Sequence, residues 1–271
     1  MEPNTESGSS LFDDQFEVIL ADDKYSRSIH YQIRYQVYCL EEGFEDQSYF
    51  CNKEERDQWD DHSVHFLVRA RHSSEWVAAM RMVIPETGKL PIEQMCDIDP
   101  MVMPSFPEKQ IAEISRMCIV DSYRRKQLSE NLVDTTATLY DARGLHVVPD
   151  TKETGAGVRI HKSIIMKGLL RAAATYSQDH DIPFWYFLTT PALARVINRL
   201  NVQLIKVGSA YEHRGTRYPF LANIRQVVEQ AKKGCPDMAA TLYSKAAAYT
   251  CFTELGVPER EMLGDVYHRV A

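Results

Sequence analysis

The sequence predicts a mixed α/β fold in which a mostly antiparallel central sheet carries helices on both faces. Three observations predict it. Apolar segments of strand length dominate the first half, two of them follow a hairpin pattern, and segments with one apolar helical face lie between the later strands. The chain has 271 residues, 44% hydrophobic and 25% charged, which is the composition of a globular protein. A helical appendage is expected after the sheet.

The first half of the chain supplies a strand, a helix and a hairpin. Phe16–Ala21 has the length and apolar character of a strand. In Lys24–Glu42, apolar residues recur at helical spacing until Gly43 ends the helix. Val64–Ala70 and Trp76–Ile84 are separated by a short polar turn, which predicts a hairpin.

A Pro-rich connection over residues 85–107, with one helical turn near Ile92–Met95, leads to a further strand at Ile111–Val120. A helix is then predicted over Leu128–Arg143 and a loop over Val147–Gly157. The remaining predicted elements are a long helix at Val158–Ser177, a strand at Phe184–Leu188, a helix from Pro191 to about Leu200, and strands at Val202–Val207 and Arg217–Ile224.

This order of elements divides the chain into three parts. Residues 1–14 are predicted to be a disordered lead-in, residues 15–226 the domain, and residues 227–271 a helical extension. In the extension, one helix is expected from Pro236 to Leu255. Residues 127–157 are predicted to be an insertion in the domain, which could serve as a lid, as a wall of an acyl tunnel or as an elaborated loop.

Composition excludes several classes of protein. The net charge of -7 argues against nucleic-acid binding, which requires a basic face. No apolar run is long enough to span a membrane, and Met1–Ser10 lacks the basic and apolar regions of a signal peptide. The six cysteines are scattered without a CxxC pair, which favours reduced thiols in a cytoplasmic protein and supports no metal site.

Charged residues stand at unusual places in the first half. Arg34 lies near the edge of the buried face of the first predicted helix, where it could also be an ordinary surface arginine. Asp57, Asp60 and Asp61 fall within five residues and repel one another unless water or cations surround them. The alternative to a site is therefore a solvated acidic loop.

Two strands carry further charges. Arg81 interrupts an apolar strand and needs a charged partner there. A purely structural ion pair with a loop aspartate would satisfy it as well as a functional site would. In the next strand, alternation places Glu113 and Ser115 on one face and Ile114 and Arg116 on the other. A charge network around core strands is typical of a working site, although purely structural networks also occur.

Four ordered motifs contain these residues: Arg-x-x-Val-aromatic from Arg34, Asp-x-x-Asp from Asp57, Met-Arg-Met-Val-Ile-Pro around Arg81, and Glu-x-Ser-Arg from Glu113. Together they resemble the autoinducer synthase family and, more closely, its relatives the long-chain N-acyl amino acid synthases. One bacterial subgroup of the latter is associated with PEP-CTERM/exosortase protein sorting. All belong to the GNAT superfamily of acyltransferases. The matched residues are Arg34, Tyr38, Phe44, Asp57, Asp60, Arg81, Glu113 and Arg116.

The later sequence bears on the acyl donor. Val120–Lys126 resembles the Arg-rich turn after the central GNAT strand, but Gln127 and Leu128 replace the glycines that cradle a coenzyme A pyrophosphate. We therefore expect the acyl-phosphopantetheine of an acyl carrier protein as donor, in preference to acyl-CoA, and no permanently bound cofactor. Glu212–Pro219 resembles the N-acyl amino acid synthase branch.

The resemblance implies transfer of a long-chain acyl group from the carrier thioester to the amine of a small acceptor such as an amino acid. The expected catalytic groups are Glu113 as base, Arg116, and the amides of Met117 and Cys118, which would stabilise an oxyanion. They would line a gap where the strand at 111–120 separates from the strand at 184–188. The expected substrate-binding residues are Arg34, Tyr38, Phe44, Asp57, Asp60 and Arg81.

A carrier protein is acidic and requires a basic docking surface. The candidate residues are Arg124, Arg125, Lys126, Arg159 and Lys162, with Lys167 and Arg171 further along the same predicted helix. An ordinary solvated helix face is the alternative interpretation.

Two other functions fit part of the sequence. An acyl-homoserine lactone synthase that uses S-adenosylmethionine would share the first half of the motif set. A non-catalytic binding module that retains the fold is the alternative from another class, although a costly pair such as Glu113 and Arg116 argues against it.

Overall fold

A computed structural model describes residues 11–84, 89–101, 110–121, 151–234 and 248–256. The strands in these ranges are β1 (Phe16–Leu20), β2 (Ser63–Ala70), β3 (Trp76–Val83), β4 (Ile111–Ile119), β5 (Phe184–Thr189), β6 (Leu204–Lys206), β7 (Tyr211–Glu212), β8 (Thr216–Asn223) and β9 (Thr250–Cys251). The helices are α1 (Leu11–Gln15), α2 (Lys24–Tyr35), α3 (Pro91–Met95), α4 (Thr151–Asp179), α5 (Pro191–Arg199) and α6 (Ile224–Gly234).

The strands form one open sheet in the order β6-β8-β5-β4-β3-β2-β1-β9, with β7 paired to β8. The β4–β5 and β1–β9 pairs are parallel, and the other pairs are antiparallel. Helix α4 packs against one face, and α2 and α3 lie on the other. The predicted fold class is therefore confirmed.

Each face of the sheet buries its own apolar layer. On the α4 side, Met80 and Trp185 are fully buried against Leu169, and the Trp185 indole N–H donates a hydrogen bond to Ser177 Oγ at 2.8 Å. On the α2 side, Ile29 packs in a smaller cluster. Full burial of one such side chain stabilises the fold by roughly 1.5–3 kcal/mol, so the larger layer dominates stability.

Helix α2 carries the first site residues, and its two ends differ. At the start, the Asp23 carboxylate accepts a hydrogen bond from the Ser26 amide at 2.7 Å, which caps the helix. At the end, Gln36–Glu41 continues as a wider π-helical turn, and Gly43 then adopts φ +63°. Such wide turns are frequent at functional sites because they change the direction of side chains.

A β-bulge in β4 shapes the site. Arg81 pairs with Ser115 and Ala79 pairs with Cys118, so β4 contains one residue more than β3 over the same stretch. Within the bulge, Arg116 adopts φ +52°, in the left-handed region that favours glycine. Backbone strain of this kind persists only where surrounding contacts hold it, and it marks candidate functional positions.

The sheet opens beyond the middle of β4. Parallel pairing with β5 is limited to Ile111–Glu113 opposite Phe184–Tyr186. Strand β5 continues to Thr189, but over that stretch it pairs only with β8. The second half of β4 therefore separates from β5, as the family resemblance implies.

Several sequence predictions are wrong at segment ends. Helix α4 begins at Thr151, within the predicted loop that ends at Gly157. The helix predicted to reach Leu255 is contradicted near its end, where β9 extends the sheet beside β1 because its aromatic and β-branched neighbourhood suits a strand. The predicted helix at 128–143 lies outside the described residues.

The lead-in predicted for residues 1–14 is wrong for its last residues, since Leu11–Gln15 forms α1. Phe12 is buried against α4 at Gly168, where an added Cβ would lie 2.2 Å from the Phe12 ring. A side chain at position 168 would therefore displace the Phe12 ring, which ties α1 to the core.

Candidate active site

A buried ion network lies between α2, the loop at residues 44–62 and strands β3 and β4. At its centre, Arg34 Nη1 donates to Asp60 Oδ1 at 2.5 Å and Arg34 Nη2 to Asp60 Oδ2 at 3.2 Å. Arg34 Nε donates to Glu55 Oε2 at 2.5 Å. All three side chains are almost fully buried, so Arg34 is not an ordinary surface arginine.

Arg81 connects this centre to the rest of the acidic loop. Its Nη1 lies 2.6 Å from Asp57 Oδ1 and 3.0 Å from Asp60 Oδ1, and its Nε donates to Ser115 Oγ at 3.1 Å. Asp57 and Asp60 are thus paired with cations inside the protein, whereas Asp61 is exposed. The acidic loop is therefore not a solvated loop, and Arg81 holds it against the sheet.

Arg116 completes the network, and its position corrects the sequence prediction. Simple alternation assigned it to the face of Ile114. The bulge turns its side chain to the face of Ser115 instead, where Nε lies 3.2 Å from Glu55 Oε1 and Nη2 lies 3.0 Å from Asp57 Oδ2. The extra residue in β4 is the physical reason for the difference.

The network keeps its members charged. Burial alone would raise the pKa of Asp60, but the hydrogen bond from His65 and the Arg34 guanidinium lower it well below its usual range. Burial likewise opposes the charge of Asp57, and the hydrogen bond from Arg81 lowers its pKa. Burial also disfavours charge on Arg34, yet Glu55 and Asp60 raise its pKa above the usual value. The ion pairs thus outweigh desolvation.

Two histidines lie behind the network. His65 Nε2 is 3.2 Å from Asp60 Oδ1, and His30 Nε2 is 3.2 Å from the Met80 carbonyl oxygen. Their rings meet edge to face with centroids 4.6 Å apart. Burial lowers the pKa of both imidazoles, so they are neutral at neutral pH, and His65 supports Asp60 from the inside.

Glu113 lies at the point where β4 and β5 separate. Its side chain is buried, and its Oε2 accepts a hydrogen bond from the Ile92 amide at 2.7 Å. Burial raises the pKa of Glu113 to about 7, although the Ile92 amide and the Arg81 charge oppose the increase. A carboxyl group with this pKa can accept or release a proton at neutral pH.

Aromatic side chains cover the exposed side of the network. Tyr38 stacks on Phe44 with ring centroids 6.3 Å apart, and the Arg116 guanidinium lies 5.8 Å from the Tyr38 ring centroid. Arg214, from the β7–β8 turn, lies 5.6 Å from the Phe44 ring centroid and forms an ion pair with Glu45. We call the region between these aromatic side chains and the separated half of β4 the cleft, and the Arg214–Glu45 contact connects it to β8.

The backbone of the bulge faces the same region. The Tyr38 hydroxyl donates to the Met117 carbonyl oxygen at 3.3 Å. Cys118 is buried, and burial raises the pKa of its thiol to about 12. A thiol that stays protonated is a poor nucleophile, so this side chain acts as a small apolar core group.

The residues predicted to dock a carrier protein are only partly described. Lys162 is half exposed on α4, and its Nζ lies 4.0 Å from Asp121 Oδ1 just after β4. Arg171 is buried, forms an ion pair with Asp13 and packs on Phe12, so it does not belong to an exposed docking surface. The predicted docking residues outside the described structure are Arg124, Arg125, Lys126 and the side chain of Arg159.

Two further properties concern the described ranges alone. No group of three histidine, cysteine or acidic side chains there is arranged to hold a metal ion. None of the helices described combines the length and apolar character of a membrane-spanning segment.

Sequence reasoning missed four members of the site: Glu45, Glu55, His65 and Arg214. Glu55 stands in a run of charged residues typical of a surface loop, so its burial has no sequence signal. His65 does have a sequence signal for burial, since it occupies an inward-facing position in the alternating pattern of β2.

Comparison with known proteins agrees with this geometry. The family model of the acetyltransferase (GNAT) domain matches residues 33–134, which include the ion network and β4. No curated protein matches the chain by sequence. The domain match and the fold together define the class: residues 33–134 match an acetyltransferase (GNAT) domain, and the sheet around them has a GNAT-like fold.

Within that class, the fold is similar to that of acyl-homoserine lactone synthases. The AHL synthase LasI has 16% identity and a TM-score of 0.52, with 84% of this chain and 94% of LasI covered. BjaI, described as a CoA-dependent acyl-homoserine lactone synthase and solved with MTA, has 14% identity and a TM-score of 0.52, with 88% and 92% covered. FeeM, an N-acyl amino acid synthase from uncultured soil microbes, has 9% identity and a TM-score of 0.45, with 79% and 93% covered.

Proposed function

We propose that the chain transfers an acyl group from the phosphopantetheine thioester of an acyl carrier protein to the amine of a small acceptor such as an amino acid. The observation that carries this proposal is the opening between β4 and β5, which begins at Glu113 and borders the Arg116 ion network. A buried carboxyl group of raised pKa, an opened sheet and a fixed cluster of charges meet there.

The opening supports a pantetheine arm as the part of the donor that enters the protein. Beyond Glu113, the backbone N–H and C=O groups of β4 that face β5 are not paired with that strand. An extended amide chain pairs with such groups as an added strand would. The thioester at the end of the arm would then lie beside the bulge.

The bulge suits the carbonyl group of the thioester. Amides of Met117 and Cys118 would stabilise the oxyanion that forms when an amine attacks the carbonyl carbon. The nitrogen–carbon bond forms and the carbon–sulfur bond breaks. The sulfur of the carrier leaves as a thiolate with the electron pair of that bond, and it takes up the second proton that the attacking nitrogen releases as the amide forms. The high pKa of the Cys118 thiol favours this direct attack over an acyl-enzyme.

Glu113 is the proposed proton acceptor. The amine of the acceptor is protonated at neutral pH and must lose a proton before it attacks. With a pKa of about 7, Glu113 exists partly as the carboxylate and can take that proton, directly or through a water molecule. Its hydrogen bond from Ile92 fixes the carboxyl group in place.

The ion network would form the acceptor pocket. Arg34, Asp57, Asp60 and Arg81 neutralise one another and are buried or largely so, so we assign them a positioning role. Arg116, Tyr38 and Phe44 are the members that border the cleft. They would contact the acceptor.

The choice of donor rests on a sequence feature. Gln127 and Leu128 replace the glycines of a pyrophosphate cradle, which favours a carrier protein, whose arm has no pyrophosphate. BjaI, with a similar fold, is described as CoA-dependent, so acyl-CoA is the competing donor. The carrier donor and the scattered cysteines together favour a cytoplasmic location.

A second candidate function is the synthesis of an acyl-homoserine lactone from S-adenosylmethionine. The fold similarity to LasI and BjaI favours it. The segment Glu212–Pro219, which resembles the amino acid branch, favours amino acid acceptors.

One experiment separates these functions. Purified protein is incubated with acyl carrier protein or coenzyme A loaded with dodecanoyl and hexadecanoyl groups, together with the twenty amino acids or S-adenosylmethionine. Mass spectrometry is expected to show an N-acyl amino acid with the carrier donor. An acyl-homoserine lactone would contradict the proposed acceptor. No product from any combination, with the thioesters bound but unreacted, would instead support a non-catalytic binding module.

A further inference from the structure

The β7–β8 hairpin brings a second set of cationic side chains to the cleft. Along β8, alternation places Arg217 on the same face as Leu221, which packs in the apolar cluster on the α2 and α3 side of the sheet. The side chain of Glu113 lies on the same side of the sheet. Arg217 is paired across the hairpin with Tyr211, at the end of β8 beyond its last contact with β5.

Arg217 differs from the other arginines of the cleft in its partners. Arg116 is bound by Glu55 and Asp57, and Arg214 is bound by Glu45. Arg217 Nε donates to the His213 carbonyl oxygen at 2.8 Å, and no carboxylate of the described residues lies within ion-pairing distance of its guanidinium. Both terminal nitrogens thus remain available to a ligand.

The charge of Arg217 is therefore in excess where the rest of the cleft is balanced. Burial, together with the nearby Arg214 and Arg116 charges, lowers the pKa of Arg217. Burial and the charges of Arg214 and Arg217 also lower the pKa of His213. A half-buried cation that repels its neighbours is costly unless an anion compensates it.

We propose that the terminal nitrogens of Arg217 bind the carboxylate of the amine acceptor, so that this residue selects amino acids over simple amines. The inference rests on the proposed function and names a specificity-determining residue for it. A guanidinium whose Nε is already engaged presents its two terminal N–H groups as a fork that matches the two oxygens of a carboxylate.

The position of Arg217 favours the acceptor over the donor as the source of the anion. Tyr38 and Arg116, the proposed acceptor contacts, are among the groups that act on Arg217 electrostatically. Lys162, from the proposed carrier-docking set, lies instead near Asp121, at the other end of the opened part of β4. The phosphate of a pantetheine arm is the alternative anion and forms one arm of the test.

Binding of product analogues tests the proposal without requiring turnover. The probes are the N-dodecanoyl derivatives of glycine, leucine and tyrosine, each compared with its primary amide, and pantetheine 4′-phosphate compared with pantetheine. Binding is measured by calorimetry on wild type, Arg217→Gln and Arg217→Lys. We expect at least one acid to bind about tenfold or more tightly than its amide, and Arg217→Gln to abolish that preference. Arg217→Lys should restore part of it.

The control is Arg225→Gln on α6, outside the cleft. It removes an exposed arginine that lies 3.6 Å from Asp181. It should leave every affinity unchanged. The proposal is overturned if no acid binds more tightly than its amide, if the preference survives Arg217→Gln, or if the substitution weakens only the phosphate preference. In a transfer assay, Arg217→Gln should raise KM for the amino acid with little change in kcat.

The two proposals fail differently. A lack of acyl transfer alongside an acid preference that depends on Arg217 would remove the proposed reaction and leave the anion site. Transfer that is equally fast to amino acids and to their amides would leave the reaction and remove the anion site.

Discussion

Arg34 and Asp60 bind each other through two hydrogen bonds, of 2.5 and 3.2 Å, in a place where neither side chain is accessible to solvent. Neither can therefore contact a substrate in the described structure. Asp60 also binds Arg81 and His65. The pair is better understood as a structural support that positions the cleft residues. Different parts of the network therefore require different tests.

Asp60→Asn should destabilise the protein strongly. The substitution leaves Arg34 and Arg81 as buried cations with less compensating charge, and breaking a buried pair costs about 3–5 kcal/mol. Chemical denaturation measures the free energy of unfolding. The matched control is Asp61→Asn, one residue later, where the side chain is exposed and the change should be within about 0.5 kcal/mol of wild type. Equal effects at the two positions would contradict this account.

Glu113→Gln should stabilise the protein in a pH-dependent manner. The folded state retains the Glu113 proton up to about pH 7, whereas the unfolded chain releases it near 4.5. Between these values the folded state binds more protons, so wild-type stability falls as pH rises. Glutamine can still accept the Ile92 hydrogen bond and has no proton to lose. Its advantage should grow from near zero at pH 4 to about 3 kcal/mol above pH 7.

The same residue should shape the rate profile. If Glu113 accepts the proton of the amine, kcat/KM rises with pH through an apparent pKa near 7, because only the carboxylate form is active. Glu113→Gln should lose this limb and most of the activity. A variant that remains folded and retains the limb would show that another group accepts the proton.

The strand pattern of this chain was readable from sequence because the apolar segments that pair in β1 to β5 are long and bounded by polar turns. The register of β4 at Arg116 could not be predicted from the sequence. A bulge residue with a positive φ is usually a glycine, which makes such a bulge recognisable in a sequence. Here an arginine held by Glu55 and Asp57 adopts φ +52° instead. Tertiary ion pairs set the local backbone, and no pattern within β4 contains them.

The candidate site was predictable in part for a related reason. Asp57, Asp60 and Arg81 stand out because charges in or beside apolar strands need partners. Glu55 does not, because its neighbours in sequence are charged, which is typical of a surface loop. The strand at Thr250–Cys251 also had a signal, since Tyr249 and Phe252 flank it, but the preceding residues suggested a helix.

Arg116→Lys should impair acyl transfer while leaving the fold intact. A lysine amine cannot bridge Glu55 and Asp57 in the manner of a planar guanidinium. The cleft carboxylates would shift, and a misplacement of about 1 Å can lower a rate by about 100-fold. Arg56→Lys is the control, since Arg56 is exposed and lies 3.8 Å from Asp61. Steady-state kinetics on both variants decide; an Arg116→Lys variant as active as wild type would remove Arg116 from the site.

Lys162→Glu should slow the reaction with a carrier-protein donor and spare the reaction with a free pantetheine thioester. The side chain is half exposed beside the end of β4, where an acidic carrier would approach. The difference should shrink as salt is added. Lys24→Glu, at the exposed start of α2, serves as the control. A loss that is equal for both donors would indicate a structural effect, not docking.

Cys118→Ala should retain activity close to that of wild type. The thiol is buried and stays protonated, since burial raises its pKa to about 12, and the proposed reaction passes from thioester to amine without an acyl-enzyme. Only a modest loss of stability is expected from the smaller side chain. Iodoacetamide should modify the exposed Cys51 and leave Cys118 unmodified in the folded protein. Intact-mass measurement during turnover provides the decisive observation: an acyl adduct that maps to Cys118, and that disappears in Cys118→Ala together with activity, would replace direct attack by a two-step mechanism.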